Sequence, residues 1–321
     1  MREGLSTVVG LGAGFVLDRV LGDPRRWHPV AGFGSAAARV ESVAYRDSRA
    51  AGIRYEAALV GGVVLAGIAL QRTGFRFALT AVSTWIVLGG RSLVRVGGEM
   101  ADRLEADDIE GARALLPSLC GRDPSALDAV GLARAALESI AENTSDAAIA
   151  PLLWGAVAGV PGLLGYRAVN TLDAMVGYRN ERYESFGWAA ARVDDVANLI
   201  PARVSGLLTA MLAPVVGGRP AAALAAWRRD AGRHPSPNAG VAEASMAGAL
   251  GVRLGGVTRY RHGTESRPVL GDGSAPRVPD LRRAVRLSAA VQAGGVVVAM
   301  VVATFAGSAR RVARRSAAEP A

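Results

Sequence analysis

Residues 138 to 146 read ESIAENTSD, which sets Glu138, Glu142 and Asp146 at successive four-residue steps. On an α-helix such steps drift only modestly around the axis, so the three carboxylates share one face. Like charges at that spacing repel by about a few tenths of a kcal/mol per pair, and a bound cation reverses the sign. Mg²⁺ suits them, because it takes carboxylate and water oxygens and bridges to substrate phosphates. The plainer alternative is an exposed acidic helix end. Against it stand Asn143 and Thr144 between the acids, and the apolar run AAIAPLLWGAVAGVPGLLG directly after them. The sequence therefore predicts Glu138, Glu142 and Asp146 as metal ligands, with Glu142 and Asp146 also catalytic and Asn143 contacting substrate. Asp123 followed by Pro124 predicts the N-cap and first residue of their helix.

A second constellation spans residues 166 to 203. Arg167, Arg179, Arg182 and Arg192 alternate there with Asn170, Asp173, Asn180, Glu181, Asp194, Asp195 and Asn198. Arginine forks match phosphate and carboxylate oxygens bidentately, and the acids suit metal or general-base work. A solvated ion-pair lattice is the competing account, but the mixture follows no heptad or simple four-residue pattern. Asn170, Asp173, Arg179, Asn180 and Arg182 are candidate substrate contacts, with Arg179 and Arg182 on phosphate, and Asp194 is a candidate catalytic acid or base. Asp194 and Asn198 fall four apart on a helix predicted to end before Pro201. Two histidines precede proline: His28 in LGDPRRWHPV, beside Asp23, and His234 in GRHPSPNAGVAEASMAGALG, before Asn238 and Glu243. Proline holds the preceding residue extended, so each imidazole projects from a fixed backbone. His234 is a candidate catalytic group; Asp23, His28 and Asn238 are candidate substrate contacts.

The elements that carry these groups are apolar helices. Half of the 321 residues are hydrophobic and only 5% are aromatic, while Gly alone numbers 40. Small residues in that abundance fit closely packed membrane helices. Apolar segments near 4–21, 55–71, 75–94, 147–166, 203–218 and 287–307 predict an all-α, polytopic helical membrane protein. Its polar helical and loop segments form the active site, residues 1–307 make one integral membrane domain, and 308–321 is a basic disordered tail. The turn RTGFR joins the second and third segments as a helical hairpin, while Pro151 and Pro161 kink the fourth. The first segment is interrupted by Asp18 and Arg19 and lacks a cleavage site, so it stays in the mature chain. GLGAGF within it follows no strand and has the wrong spacing for a dinucleotide fingerprint. RRVARR after the last segment predicts a cytoplasmic C-terminus.

The formal net charge is +9, and all 37 basic residues are arginine. Without lysine the chain has no standard P-loop. A single cysteine, Cys120, leaves no internal disulfide and argues against a metal–thiolate site.

Taken together, LDRVLGDPRRWHPV, ESIAENTSDAAIAPLLWG, YRAVNTLDAMVGYRNERYESFGWAAARVDDVANLIPARV and HPSPNAGVAEASMAGALGVRLGG resemble the CobD/CbiB family of cobalamin biosynthesis, from about residue 11 to about 256. These are membrane-bound adenosylcobinamide-phosphate synthases. Asp146-Ala147 stands where the family more often has Asp-Gly, and Arg167 and Arg179 where it usually has lysine. The resemblance implies ATP-dependent amide formation between adenosylcobyric acid and aminopropanol phosphate, or a related amino-alcohol phosphate, with ATP and Mg²⁺ as co-substrate and ion. It implies corrinoid and phosphorylated amino-alcohol partners, a lipid bilayer, other cobalamin-pathway enzymes as further candidates, and no nucleic acid. The expected location is the cytoplasmic membrane of the cell, multi-pass. A transporter of an anionic solute and a non-catalytic membrane scaffold are the rivals. The first lacks an inverted repeat, and the second leaves the acid, amide and arginine motifs unexplained.

Overall fold

The computed structural model describes residues 2–24, 28–125, 127–260 and 263–316. In chain order the helices are α1 (Arg2–Leu21), α2 (Pro29–Ala44), α3 (Arg49–Arg72), α4 (Arg76–Val87), α5 (Gly90–Glu105), α6 (Ile109–Leu115) and α7 (Ala129–Thr144). They continue as α8 (Ala150–Ala158), α9 (Val160–Val176), α10 (Trp188–Leu212), α11 (Pro220–Asp230), α12 (Ala239–Leu250) and α13 (Val278–Ser316). An antiparallel hairpin, β1 (Leu254–Tyr260) and β2 (Gly263–Leu270), is the only sheet among the described residues.

The expected all-α polytopic membrane fold is the observed one. Among the described residues, five helical segments are long and apolar enough to cross a membrane: Gly4–Leu21, Arg49–Arg72, Arg76–Glu105, Trp188–Val216 and Val278–Ala309. Large apolar side chains point outward from them, among them Val16 and Val20 of α1, Leu65 of α3, and Val301 and Phe305 of α13. A soluble protein would leave few such stripes unburied; a lipid-facing helix needs them.

Several boundaries differ from expectation. The segment near 147–166 is not one helix: a π-helical turn at Ser145–Ile149 leads into α8, and Gly159 (φ 71°) breaks the chain before α9. The helix of Glu138 begins at Ala129, because Asp128 caps it by accepting the Gly131 N–H at 2.8 Å. Asp123 instead accepts the Ser125 N–H in a local turn. Helix α13 runs on to Ser316, so the expected tail is helical up to there, and 317–321 lie outside the described residues.

Helix α10 also passes through Pro201 rather than ending before it. Proline has no N–H to give the carbonyl four residues back, that of Ala197. The indole Nε1 of Trp154 donates to this carbonyl at 3.0 Å, which is how the freed acceptor is satisfied. Trp154→Phe should therefore lower stability in detergent by about 1 kcal/mol. In a Pro201→Ala background, where a backbone N–H returns, the same change should cost much less. Equal losses in both backgrounds, read by thermal unfolding, would dissolve the link.

The chain packs as two compact units. Unit one is Met1–Gly89, Ala150–Ala197 and Gly295–Ala321; unit two is Gly90–Ile149 and Asn198–Gly294. In unit one, Leu11, Val87, Leu152, Leu163 and Ala299 form one core cluster, and Tyr55, Leu172, Val176 and Phe186 another. In unit two every residue of α12 is buried. Its run of Ala and Gly makes this possible: a Cβ at Gly240 would lie 2.4 Å from the Ala231 carbonyl oxygen, and one at Gly248 2.5 Å from that of Ala222.

Candidate active site

Unit two gathers acids and arginines around α7, α12 and the hairpin. Glu138 on α7 is 1% exposed. It ion-pairs with Arg122, itself buried, and its Oε1 accepts the Gly255 N–H at 2.6 Å. Gly255 (φ 83°) lies at a bulge in β1, in the left-handed region that favours glycine. Arg134 of α7 donates to the Gly255 carbonyl at 2.9 Å, so α7 grips the hairpin by both backbone groups of one residue.

Glu243 sits on the buried helix α12 and is 1% exposed. Its Oε1 has no hydrogen-bond partner. Arg267 Nη1 of β2 and the imidazole Nε2 of His234 are each 3.8 Å away, beyond hydrogen-bond reach. His234 is held extended before Pro235 (ψ 141°), and the Ser236 N–H donates to its Nδ1 at 3.1 Å, so Nε2 faces Glu243. Ser236 Oγ accepts from the backbone N–H of Asn238 and of Ala239, starting α12. Arg203 donates to Asn238 Oδ1 at 2.8 Å.

Burial dominates the electrostatics. It raises the Glu243 carboxyl well above the ordinary carboxylate range, and the neighbouring Glu138 and Glu142 raise it further against Arg267 and Arg122. Burial likewise raises the half-buried Glu142, with Arg267 and Arg122 opposing. It lowers His234, keeping that imidazole neutral at neutral pH. Three carboxyl groups thus face two guanidiniums, one cation fewer than the acids.

The structure does not assemble the expected three-carboxylate metal site. Among the described residues no group of three His, Cys, Asp or Glu side chains is placed to hold a metal ion. Glu138 is committed to Arg122 and Gly255, and Asp146 falls in the π-helical turn, outside regular α register. Asn143 turns back on its own helix, donating to the Ser139 carbonyl at 3.0 Å.

The remaining candidates belong to unit one. His28 caps α2, its Nδ1 accepting the Val30 N–H at 3.2 Å. Asp23 is half-buried nearby in the chain. Arg167, Asn170 and Asp194 form a relay, Arg167 donating to Asn170 Oδ1 at 3.2 Å and Asn170 Nδ2 to Asp194 Oδ1 at 3.4 Å. Asp173 lies half-buried near the end of α9, where its carbonyl accepts the Gly177 N–H. Asn180 closes a turn by accepting the Tyr183 N–H at 2.9 Å. Arg182, expected on phosphate, is paired with Glu41 at 2.9 Å and stacked 4.3 Å over the Tyr45 ring. Tyr183 donates to the same Glu41 oxygen. Arg179 is exposed.

Arg122, Arg267 and the site role of Glu243 were not identified from sequence. Arg122 meets Glu138 across 16 residues and Arg267 reaches His234 across 33, separations that no local pattern encodes. The Gly255-Gly256 pair was the available signal, since a glycine doublet marks a bulge or close backbone approach.

The family profile described as CobD/Cbib protein matches residues 11–288. The chain is 60% identical over 297 residues to "Cobalamin biosynthesis protein CobD" of Mycobacterium tuberculosis, covering 92% of this chain and 95% of the relative. It is 44% identical over 302 residues to the protein of that name from Rhodobacter capsulatus (90% and 95% covered). Against the one from Chromobacterium violaceum it is 41% identical over 293 residues (88% and 92%). No solved structure matches the chain.

Proposed function

Because the chain belongs to the CobD/CbiB family of cobalamin biosynthesis, we propose that it is an amide-forming ligase of that pathway. It joins a carboxylate of adenosylcobyric acid to the amine of aminopropanol phosphate, or a related amino-alcohol phosphate, at the expense of ATP, giving adenosylcobinamide phosphate. The bacterial relatives and the membrane-length helices support a place in the cell membrane.

The observation that carries this reading is Glu243 Oε1, buried without a hydrogen-bond partner and 3.8 Å from Arg267. The amine substrate joins an ammonium to a phosphate through a short carbon chain. An unsatisfied acid beside a guanidinium complements both ends. The carboxylate of adenosylcobyric acid first attacks a phosphorus of ATP, a P–O bond of ATP breaks to release ADP or pyrophosphate, and the new C–O–P bond makes the carboxylate oxygen a leaving group. Glu243 takes one proton from the bound ammonium, because only the neutral amine has a lone pair for attack. The C–N bond forms, the C–O bond breaks, and phosphate or AMP departs. A carboxyl raised by burial is a stronger base than one in water, which matches it to this task. The neutral His234 imidazole, its Nε2 3.8 Å from Glu243, borders the base.

Mg²⁺ would arrive bound to ATP as part of the co-substrate, where it would spread the triphosphate charge. Such ions commonly take one or two carboxylates, with phosphate and water supplying the rest. Glu142, half-buried and bound to no arginine by a direct ion pair among the described residues, would be the group to provide one.

The test uses purified protein in detergent with adenosylcobyric acid, aminopropanol phosphate and ATP·Mg²⁺. Chromatography should show a corrinoid product whose formation needs all three. Unchanged substrates would return the transporter and scaffold readings.

A further inference from the structure

In unit one, α3, α9 and α10 border an apolar groove of about 780 Å³. Val60 and Val64 of α3, Pro161 and Val169 of α9, and Val193 and Val196 of α10 line it. Val193 and Val196 are exposed, so the groove opens along helices apolar enough to cross a membrane.

Its two ends differ chemically. A Cβ on Gly52 would lie 1.9 Å from the Phe186 carbonyl oxygen, which brings the starts of α3 and α10 to one level. There Arg49 stacks 5.2 Å over Trp188, a pairing typical of the membrane–water boundary. Further in, about two turns along α3 and one along α10, Glu56 and Arg192 both line the groove. Toward the other end, where Gly67 packs on Pro161, the lining carries no charged side chain. Glu56 is 4% exposed and neither of its carboxylate oxygens has a hydrogen-bond partner. Buried acids in membrane segments normally face a cation or donor. Arg192 is mostly exposed and holds Asp195 only loosely, at 3.7 Å, so its guanidinium can turn to an anion.

We propose that this groove seats one phospholipid bearing a primary ammonium headgroup. The ammonium donates to Glu56, the phosphate meets Arg192, and an acyl chain lies from Val60 toward Pro161. From Ile53 to Val64 the lining of α3 spans about 16 Å, enough for much of one chain. The groove lies outside the residues of the amide-forming proposal, so either can fail alone.

Full-length protein would be delipidated, then reconstituted with phosphatidylethanolamine, phosphatidylcholine or phosphatidylglycerol of identical chains, and bound lipid counted by native mass spectrometry. Retention of one phosphatidylethanolamine per chain, about tenfold over the other two, is expected. Phosphatidylcholine keeps the positive charge but has no N–H to donate. Glu56→Gln should erase most of the preference. Gly61→Phe, at a position where an added Cβ meets nothing within 4 Å, should fill the groove and reduce retention of all three. Equal retention of the three lipids, a preference for phosphatidylglycerol, or retention unaffected by Gly61→Phe would each overturn the proposal. If a variant fails to fold, the lipid preference of the parent protein decides alone.

Discussion

Glu243→Gln should lower the rate of amide formation by about 10²–10⁴-fold, the usual contribution of a positioned general base. The amide keeps the shape of the carboxyl, and expression and membrane insertion should be unchanged. The pH profile should identify the group. A base must be deprotonated to act, so kcat/KM of the parent rises with pH, and burial displaces that rise above the ordinary carboxylate range. Glu243→Gln should remove this limb. A limb that survives in Glu243→Gln and vanishes in His234→Gln would reassign the base. Stability moves the other way. A carboxyl whose folded-state pKa is raised gives stability that is present below its unfolded pKa and lost as pH rises through the folded value. Glu243→Gln cannot ionise, so at alkaline pH it should unfold at a higher temperature than the parent while turning over far more slowly. Lower activity with lower stability throughout would mark a merely structural residue.

The second large effect concerns the ion pair beneath the site. Arg122→Met leaves Glu138 buried with the Gly255 N–H but without its guanidinium. Removing one partner of a buried pair costs about 3–5 kcal/mol. The double variant Arg122→Met/Glu138→Gln, which buries no charge, should recover a large part of the lost thermal stability. A double variant as unstable as Arg122→Met alone would show that the pair is not what joins α7 to the hairpin.

Apolar runs long enough for a bilayer revealed most spans of this fold, because lipid imposes a length that composition alone displays. What was illegible lay where a distant side chain repairs a local defect. Pro201 locally predicts a helix end, and only Trp154 at the Ala197 carbonyl explains why α10 continues. The hairpin escaped notice because its anchor is Glu138, more than a hundred residues upstream. The acids of ESIAENTSD stand out in the sequence, but helical spacing could not show that Arg122 already neutralises the first. Nor could it show that Glu243, on a different helix, completes the group with Glu142. Spacing describes one face of one element; the site is built from three.

The most direct test of the central claim follows oxygen. Adenosylcobyric acid labelled with ¹⁸O in its free carboxylate would be converted with aminopropanol phosphate and ATP·Mg²⁺, and the products analysed by mass spectrometry. ATP-dependent activation moves one carboxylate oxygen to phosphorus for every amide formed. The account predicts one labelled phosphate or AMP per adenosylcobinamide phosphate, and the labelled species will tell which activated acyl group is used. Amide formed with no label on any phosphorus, or ATP consumed with the label still in the corrinoid, would contradict it.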